Sequence, residues 1–302
     1  MLGTSRLVGS WKRPLSAPMW TIALACWAAS ASQACNVPVF RYALERWPPD
    51  PYHLAVFCSA EQVKEIQPAL DALKHLPVRL YAETVDLDAV DADDWRLEGI
   101  SVDRKKLPWA VLRFPPRPGV AMQAVWSGAW TPESPEKLLD SPVRKELVRR
   151  ILLGQSAVWV LVESGDAEKD QAAKDCLERE LVAVKEKLHI PGTDQLDYLP
   201  TDSDIPDPNM PMHVDPSEAI PLQIEFSLLS LSRNNPDEQT LLAILLNLEP
   251  DLHEYAEQPI AFPIFGQARA LWALVGAGIN AENILDSCAF LTGACSCQVK
   301  SM

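Results

Sequence analysis

Two short apolar runs, His53–Phe57 and Ala157–Val162, constrain the fold of this chain more than any other feature. Each is followed at once by a helix-start signal, and each opens the same series of elements. After the first run, Ser59 with Gln62 three positions on reads as a capping box. Val63, Ile66, Leu70 and Leu73 then recur at helical spacing, and Pro68 predicts a kink or a split in that helix. Val78–Leu87 reads as a second strand. Beyond an acidic loop containing Trp95, Pro108 leads into Trp109–Phe114, with Ala121–Trp126 as its antiparallel partner. Ser141 at the N-cap and Pro142 at the first helical position start a helix that carries Val143, Leu147 and Ile151 on one face and ends at Gly154.

The series begins again at Ala157. Ser164-Gly165-Asp166 leads into a long amphipathic helix with Cys176, Leu177, Leu181, Val184 and Leu188 as its buried stripe. A Pro- and Asp-rich stretch from Thr201 to Pro221 interrupts, and Leu222–Leu231 reads as the next strand. Asn235-Pro236 with Glu238 caps an added helix that ends at Pro250. Ile260–Phe265 and Ala268–Val275 form a hairpin around Gly266, and Asn280 caps a last helix bearing Ile284, Leu285, Cys288 and Leu291. The expected class is α/β, in the order strand, helix, strand, hairpin, helix, twice over. The expected division is 1–34 as a signal segment, 35–155 as an N-terminal module and 156–302 as a C-terminal module.

That order, with a proline just before or within the first strand of each hairpin (Pro108 and Pro263), resembles the thioredoxin fold. The resemblance implies two tandem thioredoxin-like modules, and it implies that Pro108 is cis and faces an active-site position. The chain departs from the family where its chemistry would sit. In place of Cys-x-x-Cys it carries Cys58-Ser59-Ala60-Glu61 in one half and Ser164-Gly165-Asp166-Ala167 in the other. The closer match is a tandem of redox-silent modules used for binding or scaffolding.

The first 34 residues contain Arg6, Lys12 and Arg13 and no acidic residue, and an apolar run from Met19 to Ala31 follows the basic stretch. This is the layout of a secretory signal, with a core short for a bilayer span. Small residues at Ser32 and Ala34 place cleavage before Cys35, and Ala29 with Ala31 offers a second site. Membrane attachment is expected only through an uncleaved signal or a lipidated Cys35; a bacterial lipobox would usually place Leu where Ser32 stands. The expected location is exported, periplasmic or extracellular.

The net charge of −14 includes three positive charges from this segment, so the mature chain carries −17. Such a field repels phosphate backbones, and no basic cluster with interleaved aromatics offsets it, which excludes nucleic acid as a partner. No Gly-x-Ser-x-Gly elbow, His-Glu-x-x-His helix or Walker loop is present. Gly276-Ala277-Gly278-Ile279-Asn280-Ala281 matches a dinucleotide pattern, but a hairpin is read where parallel neighbours are required, and the glycines are read as a tight turn. No cofactor is expected. An unidentified protein is the partner class left open. The segment Phe40–Trp47 reads as a strand or short helix docked against the first module.

Six cysteines remain after cleavage, in a compartment that favours disulfides. Cys58 ends a strand beside a helix N-terminus, a setting for either a reactive thiolate or a packing residue. Cys176 is read as core. Cys288, Cys295 and Cys297 lie within ten residues. Three readings stay open for them: structural packing and bridging, disulfide exchange by Cys295 and Cys297, or a soft-metal site for Cu(I) with Cys288 as third ligand. The catalytic candidates are therefore Cys295, Cys297 and Cys58, and the metal candidates Cys288, Cys295 and Cys297. Asp202, Asp204, Asp207, Met210, Met212, His213, Asp215 and Glu218 are weighed as metal ligands and read as a surface loop. The expected function is binding or scaffolding, with an unconventional thiol–disulfide oxidoreductase or a copper-binding protein as the alternatives.

Overall fold

The computed structural model describes residues 37–295 except 77, 92, 117–123, 191–219 and 221. In chain order its elements are α1 (Val39–Arg46), β1 (Tyr52–Cys58), α2 (Ala60–Leu73), β2 (Leu80–Asp86), β3 (Trp109–Arg113), β4 (Ala124–Ala129), α3 (Ser134–Leu139) and α4 (Pro142–Leu152). There follow β5 (Ala157–Val162), α5 (Ala167–Lys187), β6 (Phe226–Leu231), α6 (Gln239–Leu246), β7 (Ile260–Phe265), β8 (Arg269–Ala270), β9 (Leu274–Val275) and α7 (Ala281–Thr292). The architecture is mixed α/β with two mixed sheets, in the strand orders β2-β1-β3-β4 and β6-β5-β7-β8, with β9 also on β7.

Local chemistry explains most boundaries. The Gln62 side chain accepts from the Ser59 N–H at 3.0 Å, closing one arm of the capping box that starts α2. The Ser141 hydroxyl accepts from Arg144 N at 3.0 Å and Asn280 Oδ1 from Asn283 N at 3.0 Å, as their N-cap positions predict. Pro68 does not split α2, which runs as one element from Ala60 to Leu73. Helix α3 was not legible in the sequence.

The two sheets share one register. Phe57 pairs with Trp109, and Val162 pairs with Ile260, so the positions opposite Cys58 and Glu163 are Pro108 and Pro259. Pro108 O accepts from Trp130 N, and Pro259 O accepts from Gly276 N, each at 2.9 Å. The proline equivalent to Pro108 is therefore Pro259, not Pro263. Pro263 stands mid-strand opposite Trp159. Having no N–H, it supplies no donor to the outer edge of β7, although its carbonyl accepts from Leu271 N at 3.1 Å, and the expected strand Ala268–Val275 breaks there. Arg269–Ala270 pairs with Phe265 and Ile264, Leu274–Val275 with Ala261 and Ile260, and residues 271–273 pass the proline between them.

Alternation along β5 buries both faces of the second sheet. Ala157, Trp159 and Leu161 pack under α5 and α7, while Val158, Val160 and Val162 pack against Leu147 and Ile151 of α4 and Leu241, Leu242 and Leu245 of α6. The first sheet is covered differently. Leu54 and Val56 meet Ile66, Leu70 and Leu73 of α2, but on the opposite face Ala55, Phe57, Val85 and Val111 are covered by Leu97, Ile100, Val102 and Leu107 of an irregular segment.

Two long-range contacts tie the chain together. Helix α1 docks on the second sheet and not, as expected, on the first. Val39, Phe40 and Ala43 enter the core beneath α7, Pro38 bridges Ala294, and Trp47 carries the Arg269 guanidinium at 3.7 Å from its ring centroid. Gly266 makes the approach feasible: a Cβ there would stand 2.6 Å from Ala43 Cβ. The second tie is Glu238, fully buried, whose carboxylate accepts from Val143 N at 2.7 Å and from the Ser141 hydroxyl. A residue of the second half thus completes the N-terminal cap of α4.

Candidate functional site

The equivalent strand-to-helix junctions are where a thioredoxin-like module would hold its chemistry, so their side chains decide what the chain can do there. In the first, Cys58 ends β1 opposite Pro108, and the Leu107–Pro108 bond is cis. The Cys58 side chain is fully buried, and its thiol donates toward Val85 O at 3.9 Å. Burial, and then the negative charge of Asp86, push the thiol above its ordinary pKa. It is held protonated, and a thiol in that state is a poor nucleophile. Ser59 and Gln62 next to it are occupied with each other.

In the second junction a carboxylate fills the place of a reacting group. Asp170 reaches back from the first turn of α5 to accept from Ser164 N and Ser164 Oγ, both at 2.7 Å, and from Gly165 N at 2.9 Å. Asp166 caps the same helix by accepting from Glu168 N and Lys169 N. The open cleft beside them, about 360 Å³ in volume, is lined by Glu163, Asp170, Gln171, Lys174 and Ser230. It contains no thiol. No family model matches this chain, and no curated protein does. Its chemistry is therefore argued from these side chains alone.

Of the C-terminal cysteines, the two described, Cys288 and Cys295, do not join Cys58. Cys288 and Cys295 are buried in the core beneath α7, whereas Cys58 lies in the core of the first sheet. Burial pushes the Cys288 thiol up to about 12. Cys295 N donates to Val37 O at 2.9 Å, which ties this end of the chain to the segment before α1. Cys176 is half-buried at the rim of the same core, its thiol 3.4 Å from Ile279 O. Cys297, Cys35 and the acidic Met-containing stretch 201–218 lie outside the described residues. Among the described residues no group of three or more His, Cys, Asp or Glu side chains is arranged to hold a metal ion. None of the described helices is long and apolar enough to cross a membrane. The 276–278 glycines form a single 3-10 turn before α7, and β9 beside them is antiparallel to β7, which removes the dinucleotide pattern.

A charged cluster at the other end of the first sheet escaped the sequence analysis. His53 lies between Tyr81 and Arg113, its neighbours on β2 and β3. The His53 ring stacks on Tyr81 at 5.3 Å and leans on Trp95 at 4.8 Å between centroids. Its Nε2 lies 2.8 Å from Glu83 Oε1, while its Nδ1 is buried with no hydrogen-bond partner among the described residues. Glu83 Oε2 accepts from Arg96 at 3.1 Å, and Asp94 accepts from Arg96 through both carboxylate oxygens. Arg113, fully buried, donates to the carbonyls of Arg96 and Glu98 at 3.1 and 2.6 Å. Hydrogen bonds from Arg96 hold the Asp94 carboxyl at about 2. Burial lowers the His53 pKa below its ordinary 6.5; Glu83 opposes this, and the charges of Arg113 and Arg96 add to it. The members are spread from residue 53 to residue 113, and only Tyr81 to Glu83 and Asp94 to Glu98 are close in sequence. No spacing rule gathers them.

Proposed function

We propose that this chain is an exported binding or scaffold protein, built from two thioredoxin-like modules without dithiol chemistry, whose partner is another protein. The observation that carries the reading is the state of the two junctions. One holds a lone buried thiol kept protonated, and the other a serine tied to Asp170. The modular part of the proposal is supported by the shared register, in which a parallel strand–helix–strand unit is followed by an antiparallel hairpin in both sheets.

Thiol labelling combined with a disulfide-turnover assay tests the proposal. With a thiol pKa of about 12, Cys288 is a thiolate in roughly one molecule in ten thousand at pH 8. The expected result is that Cys58 and Cys288 resist an aromatic disulfide reagent in the native chain, react after unfolding, and that the purified chain reduces no disulfide substrate. Turnover that disappears in Cys58→Ser, or in Cys295→Ser/Cys297→Ser, would overturn the reading and establish an oxidoreductase.

A further inference from the structure

We infer that His53 is an acid-operated latch, which in its neutral form holds the Asp94–Glu98 end of the segment 94–107 over the first sheet and on protonation releases that end. The segment is a cover with polar contacts at both ends: Asp94–Glu98 beside His53, and Arg104, whose guanidinium donates to Leu87 O at 2.7 Å and to Asp88. Leu97, Ile100, Val102 and Leu107 lie over Ala55, Phe57, Val85 and Val111, a sheet face that no described helix occupies. The fastening that involves His53 and its neighbours is at Asp94–Glu98: the Trp95 ring against His53, the Arg96 guanidinium on Glu83, and the Arg96 and Glu98 carbonyls on Arg113.

The charges facing His53 set the sense of the switch. Glu83 on β2 accepts from Nε2, which assigns the neutral ring its proton there and leaves Nδ1 as a bare, buried lone pair. A second proton would create an N–H at Nδ1 with no acceptor, in a position 94% removed from solvent. It would also place a cation among Arg113 from β3 and Arg96 from the covering segment, with Glu83 as the carboxylate in direct contact and Asp94 already committed to Arg96. Water satisfies the new N–H once Trp95 moves off the ring. The Glu83–Arg96 pair weakens at the same moment, because Glu83 becomes the counterion of the imidazolium. Release of this end would open the apolar face around Ala55 and Val111 to water.

The test uses the full chain labelled with 5-fluorotryptophan, with the Trp95 fluorine resonance assigned by comparison with Trp95→Phe. As the pH is lowered from 8 to about 5, that resonance is expected to move to its position in the unfolded chain with a midpoint below 6.5, and the titration of the His53 Cε1–H signal is expected to follow the same curve. In His53→Gln the resonance should stay in one position across the range. In Glu83→Gln the midpoint should fall, because the carboxylate that favours the imidazolium is gone. A Trp95 resonance that does not move while His53 titrates overturns the latch, and so does a transition that persists in His53→Gln. Should His53→Gln fail to fold, an unshifted midpoint in Glu83→Gln overturns it equally.

Discussion

Replacing Glu238 by alanine should loosen the joint between the two halves more than any surface change, because this fully buried carboxylate caps a helix that begins 96 positions before it. The structure gives the components of the loss. Val143 N–H would lose a charge-assisted acceptor at 2.7 Å, contributing ~1.5–3 kcal/mol. The Ser141 hydroxyl would lose its acceptor, a further ~1 kcal/mol. Half-buried Arg144, which feels the charge of Glu238, would keep its hydrogen bonds to the Leu138 and Leu139 carbonyls. The total is ~2.5–4 kcal/mol, which overlaps the range found when one member of a buried charged set is removed. Glu238→Gln keeps an amide oxygen for Val143 and should cost only ~1–2 kcal/mol. Urea unfolding followed by far-UV circular dichroism would show this as a lower midpoint, with the slope unchanged if both sheets still unfold together. A loss below about 1 kcal/mol for alanine, the size of an ordinary exposed cap, would refute the reasoning.

Two further perturbations test other parts of the argument. Gly266→Ala puts a side chain at φ +56° and 2.6 Å from Ala43 Cβ, which should cost ~2–4 kcal/mol from backbone strain and overpacking together and should expose α1 to trypsin at Arg46; unchanged thermal stability and protease resistance would contradict the docking of α1 through this glycine. Asp94 has its folded pKa lowered from 3.8 to about 2, so the stability it contributes is complete above the unfolded value and is lost as the pH falls through the folded one. Asp94→Asn should therefore flatten the acid limb of stability between about pH 4 and pH 2, and an acid limb identical to that of the parent chain would count against the Asp94–Arg96 pairing.

Where an interaction spans only a few residues, the sequence was a sufficient guide. Strand β5 is Ala157–Val162 in both the reading and the structure, and Ser59, Ser141 and Asn280 start the helices expected of them. Trp109 and Ile260 open their strands where the pattern of apolar residues placed them. The thiol pair missing from both junctions was equally plain, because a two-residue spacing is a local property.

Tertiary structure decided whatever depends on which distant side chains arrive at one place. Helix α1 is amphipathic in the sequence, but only the gap above Gly266, 223 positions after Ala43, selects the second sheet as its seat. Pro259 rather than Pro263 takes the place of Pro108 because the pairing register, and not proximity to a strand, fixes which proline faces the junction. Cys58 and Cys288 look alike as apolar-flanked thiols, and burial in two separate cores pushes each of them above the ordinary thiol pKa. The His53–Glu83–Arg96 cluster and the Glu238 cap are contacts of long sequence separation, whose partners carry no mark in composition or periodicity. Helix and strand periods report which face of an element is apolar; they do not report what that face meets, and the charges that matter in this chain are those that folding brings together.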